Sequence, residues 1–224
     1  MKYKHILLIV FAILLIDQLS KIYIKTHFYL GEEINVIGSW FRLYFIENEG
    51  MAFGMKILDN ELGKLILTLF RLVAVSFGFY WVYQLSKKQY HKGIMVCAAL
   101  ILAGAAGNLI DSLFYGMLFT PTEFPYEVSK FANGNVQGYG KFLHGRVVDM
   151  LSFPLIETTW PEWVPYFGGK RLGFFDPIFN IADAAISVGI ITLLLFQGRW
   201  LPKAQTTTTS DDNLDSNTHD PNGL

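Results

Sequence analysis

Apolar residues gather into four runs, roughly residues 5–24, 62–85, 94–118 and 178–197, each close to the ~20 residues that a helix needs to cross a bilayer core. The stretches between them read differently. From Ile34 to Ile46 apolar and polar positions alternate, with Trp40, Phe41, Tyr44 and Phe45 suiting a half-buried strand or a sheet at the membrane surface. Residues 119–177 are rich in glycine, proline and aromatics and are too long for a simple connector. From Gln205 onward threonine, serine, asparagine and aspartate take over, which predicts a disordered tail. The pattern predicts an all-α membrane protein of four transmembrane helices, with residues 1–203 as one membrane domain and 204–224 as the tail.

Charge placement orients the spans. Lys87, Lys88 and Lys92 crowd the short connection between the second and third runs, and Lys2 and Lys4 precede the first. Residues 31–61 instead carry Glu32, Glu33, Glu47, Glu49, Asp59 and Glu61. The positive-inside rule then predicts cytoplasmic termini, with 31–61 and 119–177 outside. A basic start followed by an apolar run is also how a secretory signal begins, but the chain continues Asp17-Gln18-Leu19-Ser20-Lys21 where small residues would mark a cleavage site. The segment therefore reads as a retained first span.

On this topology the polar residues inside the spans converge toward the outer face. Asp17 and Lys21 are spaced i,i+4, and Asn108/Asp111 and Asn180/Asp183 are spaced i,i+3, so each pair shares a helix face that can point into the bundle. A carboxylate at bilayer depth costs at least ~2.5–3.5 kcal/mol, so three of them imply ion pairing, transport or chemistry. The plain alternative is charge compensation: Lys21 or Arg71 neutralises an aspartate, and Asn108 and Asn180 act as interhelical glue. Gly104 and Gly107, among Ala103, Ala105 and Ala106, read as a close helix contact.

Composition narrows the options. Of 224 residues 52% are apolar and the formal net charge is −1, with basic residues dispersed, which excludes a nucleic-acid partner. The single Cys97 lies in an apolar run and excludes an intramolecular disulfide or a multi-cysteine metal site. No His/Cys metal spacing, phosphate-cradling glycine loop or Gly-x-Ser-x-Gly elbow is present, so no metal and no cofactor are implied and any chemistry belongs to carboxylates. Asp149 stands in an apolar strand-like or re-entrant stretch, Val147-Val148-Asp149-Met150-Leu151. If it meets Asp183, the two cannot both ionise easily, and such a pair can hold and deprotonate a water for attack on an amide.

The motifs Asp17-Gln18-x-x-Lys21, Asn48-x-Gly50-x-Ala52-Phe53-Gly54, Gly104-x-x-Gly107-Asn108-x-x-Asp111, Val147-Val148-Asp149 and Phe179-Asn180-x-Ala182-Asp183, in this order on four spans, resemble bacterial lipoprotein signal peptidase, or signal peptidase II. The resemblance runs from about Ile13 to Gly189. It implies an aspartyl endopeptidase of the bacterial inner membrane that removes signal peptides from diacylglyceryl-modified prolipoproteins, cutting before the lipidated cysteine. By it, Asp149 and Asp183 match the catalytic pair, and Asp17, Lys21, Asn48, Gly50, Asn108, Asp111 and Asn180 match positions that shape or support the site. It further implies a small extracytoplasmic sheet that cradles substrate, a lid from the second outer segment, contact with membrane lipids, and inhibition by cyclic peptide antibiotics of the globomycin type.

Two positions depart from the family pattern. Ser112 stands where arginine usually follows the aspartate matched by Asp111, and Met150 stands where an aromatic often follows the catalytic aspartate. Arg146 and Arg71 are the cations available to replace the missing charge. The stretch from Gly116 to Gly145 is also longer than the family's usual link. The rival readings are a proton- or cation-coupled carrier using Asp17, Asp111, Asp183 and Arg71 as a relay, and a membrane scaffold whose outer aromatic loop binds a partner. The plainly apolar inner halves of spans one, three and four count against the relay.

Overall fold

The computed structural model describes residues 1–49, 61–88, 90–122, 127–154, 156–159, 161–166, 168–169, 171–174 and 177–200. Gly50 to Gly54 and the 204–224 tail lie outside the described residues, as do Phe124, Tyr126, Trp160 and Phe167 of the 119–177 segment.

Four helical stretches are long and apolar enough to cross a membrane. They are α1 (Tyr3–His27), α2 (Glu61–Lys87), α3 (Lys92–Ile110) with its continuation, and α5 (Ile181–Trp200). The continuation of α3 is a π-helical turn, Asp111–Tyr115, and a short α4, Gly116–Leu118. Hydropathy alone extends span four back to Ile178. In the structure Ile178–Phe179 pair with a strand instead, and the helix starts at Ile181, because Asn180 caps it.

Each outer helix buries one stripe and leaves the rest of its surface apolar and exposed, Leu8, Phe70 and Leu195 among it, as suits contact with lipid. In α1 the stripe changes character along its length. Ile6 and Val10 join the apolar core, while Asp17, Lys21 and Lys25 are buried further along the same face. Helix α3 is the hub, buried along most of its length. It packs on α5 through small residues: a Cβ on Gly104 would lie 2.2 Å from the Ala182 carbonyl oxygen, and one on Gly189 3.0 Å from that of Cys97.

Above the bundle lies a four-stranded antiparallel sheet of β1 (Glu33–Ile37), β2 (Phe41–Asn48), β3 (Val147–Ser152) and β6 (Ile178–Phe179), in that order. The alternation from Ile34 to Ile46 is thus two strands rather than one. The chain reverses over residues 38–40, with Gly38 at φ +53° supplying a backbone that other residues rarely adopt. A second hairpin, β4 (Ile156–Thr159) with β5 (Arg171–Phe174), belongs to the long segment between the third and fourth spans.

A second apolar cluster (Ile24, Phe28, Phe45, Tyr115, Phe119, Val148, Met150) seats the sheet on the ends of α1 and α3. Met150 is 1% exposed within it, which explains an aliphatic residue there in packing terms. Lys25 ties α1 to β2 by pairing with Glu47, its ammonium 4.9 Å from the Tyr139 ring centre.

Candidate active site

The ends of α1, α3 and α5 meet under β3, and the polar residues of each face one another there. Lys21 is the pivot. Its Nζ lies 3.0 Å from Asp17 Oδ2 and 2.8 Å from Asp111 Oδ2, and donates to Asn108 Oδ1 at 2.9 Å; all three charged side chains are fully buried. Asp17 Oδ1 also accepts the Ala182 N–H at 2.9 Å, a carboxylate at a helix N-terminus where the dipole favours it. Gln18 completes the knot: its amide donates to Asp111 Oδ1 (2.9 Å) and Asp17 Oδ2 (3.1 Å), and its carbonyl accepts from the Tyr115 hydroxyl (3.2 Å).

Asn180 and Asp183 form a capping box at the start of α5. Asn180 Oδ1 accepts the Asp183 N–H at 2.9 Å, and Asp183 Oδ2 accepts the Asn180 N–H at 3.4 Å. The Asn180 amide is then free of its own helix and donates to Asp149 Oδ1 at 2.7 Å, Asn108 Oδ1 at 3.2 Å and the Val148 carbonyl at 3.3 Å. Asn108 Nδ2 donates to Asp183 Oδ1 at 2.7 Å. Two asparagines thus hold the two aspartates, one from α5 and one from β3, in a single hydrogen-bonded constellation.

Asp149 owes its place to β3. Opposite Ile46 in the ladder, it is 2% exposed, and its Oδ2 accepts from Asn48 Nδ2 at 3.2 Å. Burial, reinforced by the neighbouring Asp183 charge, pushes its carboxyl up to about 7, against the opposing pull of the Asn48 and Asn180 amides and Lys21.

β3 reaches this position because the chain before it docks on the π-helical turn. The N–H groups of Gly145, Leu143 and Gly140 donate to the carbonyls of Ser112 (2.9 Å), Leu113 (3.1 Å) and Gly116 (2.8 Å). A π-helical turn leaves carbonyls turned outward, and this loop satisfies them. The approach requires glycine at 145, where a Cβ would lie 1.9 Å from the Asp111 carbonyl oxygen.

Of the residues singled out from sequence, Asp17, Lys21, Asn48, Asn108, Asp111, Asp149, Asn180 and Asp183 all join this constellation, while Gly50 lies outside the described residues. Arg146 goes elsewhere. Its Nε and Nη1 donate to Glu49 Oε1 (3.0 Å) and Glu47 Oε2 (3.2 Å), in a network that runs from the buried Lys25 and Glu47 to the exposed Glu49 and also holds Lys64. Against the opposing effect of burial, Lys25 beside Glu47 and Lys64 beside Glu49, each with a smaller contribution from Arg146, hold the two carboxyls below the usual carboxylate range. Gln18, quoted within the first motif, was assigned no role of its own, and Gly145 was not singled out. Gln18 had a signal, since it stands next to Asp17 and one helical turn from the core stripe; Gly145 had none, because its neighbour is 34 residues away in sequence.

The sequence profile of signal peptidase (SPase) II matches residues 9–198. Over 194 residues the chain is 44% identical to a lipoprotein signal peptidase of Porphyromonas gingivalis, covering 86% of this chain and 82% of that one. It is 33% identical over 183 residues to a lipoprotein signal peptidase of Amoebophilus asiaticus, covering 80% and 72%. Among solved structures, a bacterial membrane enzyme determined in meso at 2.3 Å resolution shares the fold, with a TM-score of 0.55, 22% identity and coverage of 95% and 96%. The chain therefore belongs to the signal peptidase II family of membrane peptidases.

Proposed function

We propose that this protein removes the signal peptide from diacylglyceryl-modified prolipoproteins, cutting just before the lipidated cysteine, by water attack assisted by Asp149 and Asp183. The observation that supports it best is the Asn180 amide, which bonds Asp149 while its carbonyl caps the helix turn that carries Asp183. Two carboxylates held this way share one proton. Water between them gives a proton to the ionised carboxylate as its oxygen attacks the scissile carbonyl, and the protonated carboxyl donates to that carbonyl oxygen. The tetrahedral adduct then collapses as the carboxyl that took the water proton passes it to the leaving nitrogen and a hydroxyl proton of the adduct returns to the other carboxylate, which restores the singly protonated pair.

Asp17, Lys21, Asn108 and Asp111 fix the helix ends on which the dyad stands. Asn48 orients Asp149, Arg146 holds Glu47 and Glu49, and Gly50 serves the site as the family resemblance implies. Residues 1–203 act as the catalytic unit. On this reading, which Lys87, Lys88 and Lys92 support, both termini are cytoplasmic and the dyad lies near the outer face, so the acyl chains stay among membrane lipids while the signal helix lies against the bundle. Confinement of this kind lowers the entropy cost of bringing the bond to the dyad. A cyclic peptide antibiotic of the globomycin type would compete for the same cleft.

Lipid dependence tests this reading. A diacylglyceryl-modified prolipoprotein should be cut at the residue before its cysteine and the unlipidated form left intact; equal cleavage of both would contradict it.

A further inference from the structure

Arg71 lies in the middle of α2, three residues after the buried Thr68 and four before the buried Val75, so it faces α3 rather than lipid. A guanidinium at that depth is costly unless it has a berth and anionic company. The berth is Ser112: Arg71 Nη1 donates to Ser112 Oγ at 3.1 Å, and that hydroxyl donates onward to the Asn108 carbonyl at 2.9 Å. The same asparagine holds Asp183 through its side chain at 2.7 Å. Ser112 adjoins Asp111 in the chain and is linked through Asn108 to Asp183, so the anionic company is that of the site's aspartates.

Charge balance says why a second cation belongs here. Asp17, Asp111, Asp149 and Asp183 converge on the site, and Lys21 is already engaged by Asp17, Asp111 and Asn108. With one proton shared by Asp149 and Asp183, three negative charges would face a single lysine. Arg146 is held by Glu47 and Glu49. Arg71 supplies a second positive charge from a different helix and leaves a single net negative charge for the site.

We infer that Arg71, seated on Ser112, is a positioning residue of the active site that holds negative charge on the Asp149–Asp183 pair. It thereby takes the place of a cation at position 112 itself. The inference rests on the reading of those aspartates as the catalytic pair. It also makes the docking of α2 part of the site, through the Thr68 hydroxyl on the Leu143 carbonyl at 3.0 Å and Gly78 against Leu102.

The test uses the purified full-length protein in detergent with a lipidated prolipoprotein. Arg71→Gln should lower kcat/KM roughly 10²-fold, within the range for losing one electrostatic stabiliser. Arg71→Lys should recover most of it. In Arg71→Ala combined with Ser112→Arg, which moves the cation across the vacated space, cleavage should rise at least about tenfold above Arg71→Ala alone. Unchanged turnover in Arg71→Gln, or folded Arg71→Lys and relocated variants that both stay at the Arg71→Gln level, would overturn the inference.

A readout free of turnover separates it from the dyad reading. Arg71→Gln should lower the melting temperature by several degrees more in the wild-type background than in Asp183→Asn, since the partner charge is then gone. Equal shifts in the two backgrounds would overturn the role of Arg71. Unequal shifts in a protein that cuts no lipidated substrate would uphold the coupling of Arg71 to the aspartates and overturn the peptidase reading instead.

Discussion

Asn180 Nδ2 donates to Asp149 Oδ1 at 2.7 Å from the very residue that caps the helix carrying Asp183. One side chain therefore sets both the start of α5 and the orientation of the β3 carboxylate. Removing it should damage stability and chemistry separately. Asn180→Ala should cost about 1 kcal/mol for the lost cap and depress kcat/KM strongly. Asn180→Ser keeps a good cap but loses the amide that holds Asp149, so its melting temperature should stay closer to wild type than that of Asn180→Ala while cleavage falls as far. Thermal unfolding in detergent and steady-state cleavage read the two effects apart.

Lys21 holds two fully buried carboxylates. Lys21→Met leaves both uncompensated and should destabilise the protein by roughly 3–5 kcal/mol. Adding Asp17→Asn should return part of that loss, because one orphaned charge is removed while Ala182 keeps an acceptor. Melting temperatures of the single and double variants give the comparison.

Asp149 makes stability depend on pH. Its folded pKa is raised to about 7, above that of an ordinary carboxyl. Between that ordinary range and about 7 the unfolded chain has released the proton and the folded one still holds it, so stability falls as pH rises through this window and levels off above it. Asp149→Asn should flatten the slope. In the wild type, kcat/KM should also decline above about 7 as the shared proton is lost. Melting temperatures at several pH values, with and without the substitution, check the sign.

Gly145 is required by contact rather than by conformation. Gly145→Ala would drive a methyl group into the Asp111 carbonyl and should be severely destabilising, whereas Gly134→Ala, with nothing within 4 Å of its Cβ position, should be tolerated. The two variants compared by expression yield and unfolding temperature test whether the loop before β3 is locked on the π-helical turn.

The spans were legible because length and apolarity suffice to mark a membrane helix, and the polar pairs because i,i+3 and i,i+4 spacing fixes a shared face. Asn180-x-x-Asp183 even carries the capping-box pattern, which explains why hydropathy overran the start of α5 by three residues: Ile178 and Phe179 are apolar but extend a sheet. The π-helical turn was not legible. Asp111-Ser112-Leu113-Phe114-Tyr115 contains no helix breaker, and the wider turn is stabilised by N–H groups from a loop some thirty residues later. The contrast between Arg146 and Arg71 was equally hidden. Both have the right sign, but only tertiary contacts decide that one pairs with Glu47 and Glu49 and the other reaches Ser112.

The most direct measurement is cleavage of a diacylglyceryl-modified prolipoprotein by the purified wild type beside Asp149→Asn and Asp183→Asn, each checked for folding by its unfolding transition. Cleavage by the wild type, abolished in both folded variants, is the expected result. Substantial turnover by either variant would contradict the assignment of Asp149 and Asp183 as the pair that carries the reaction.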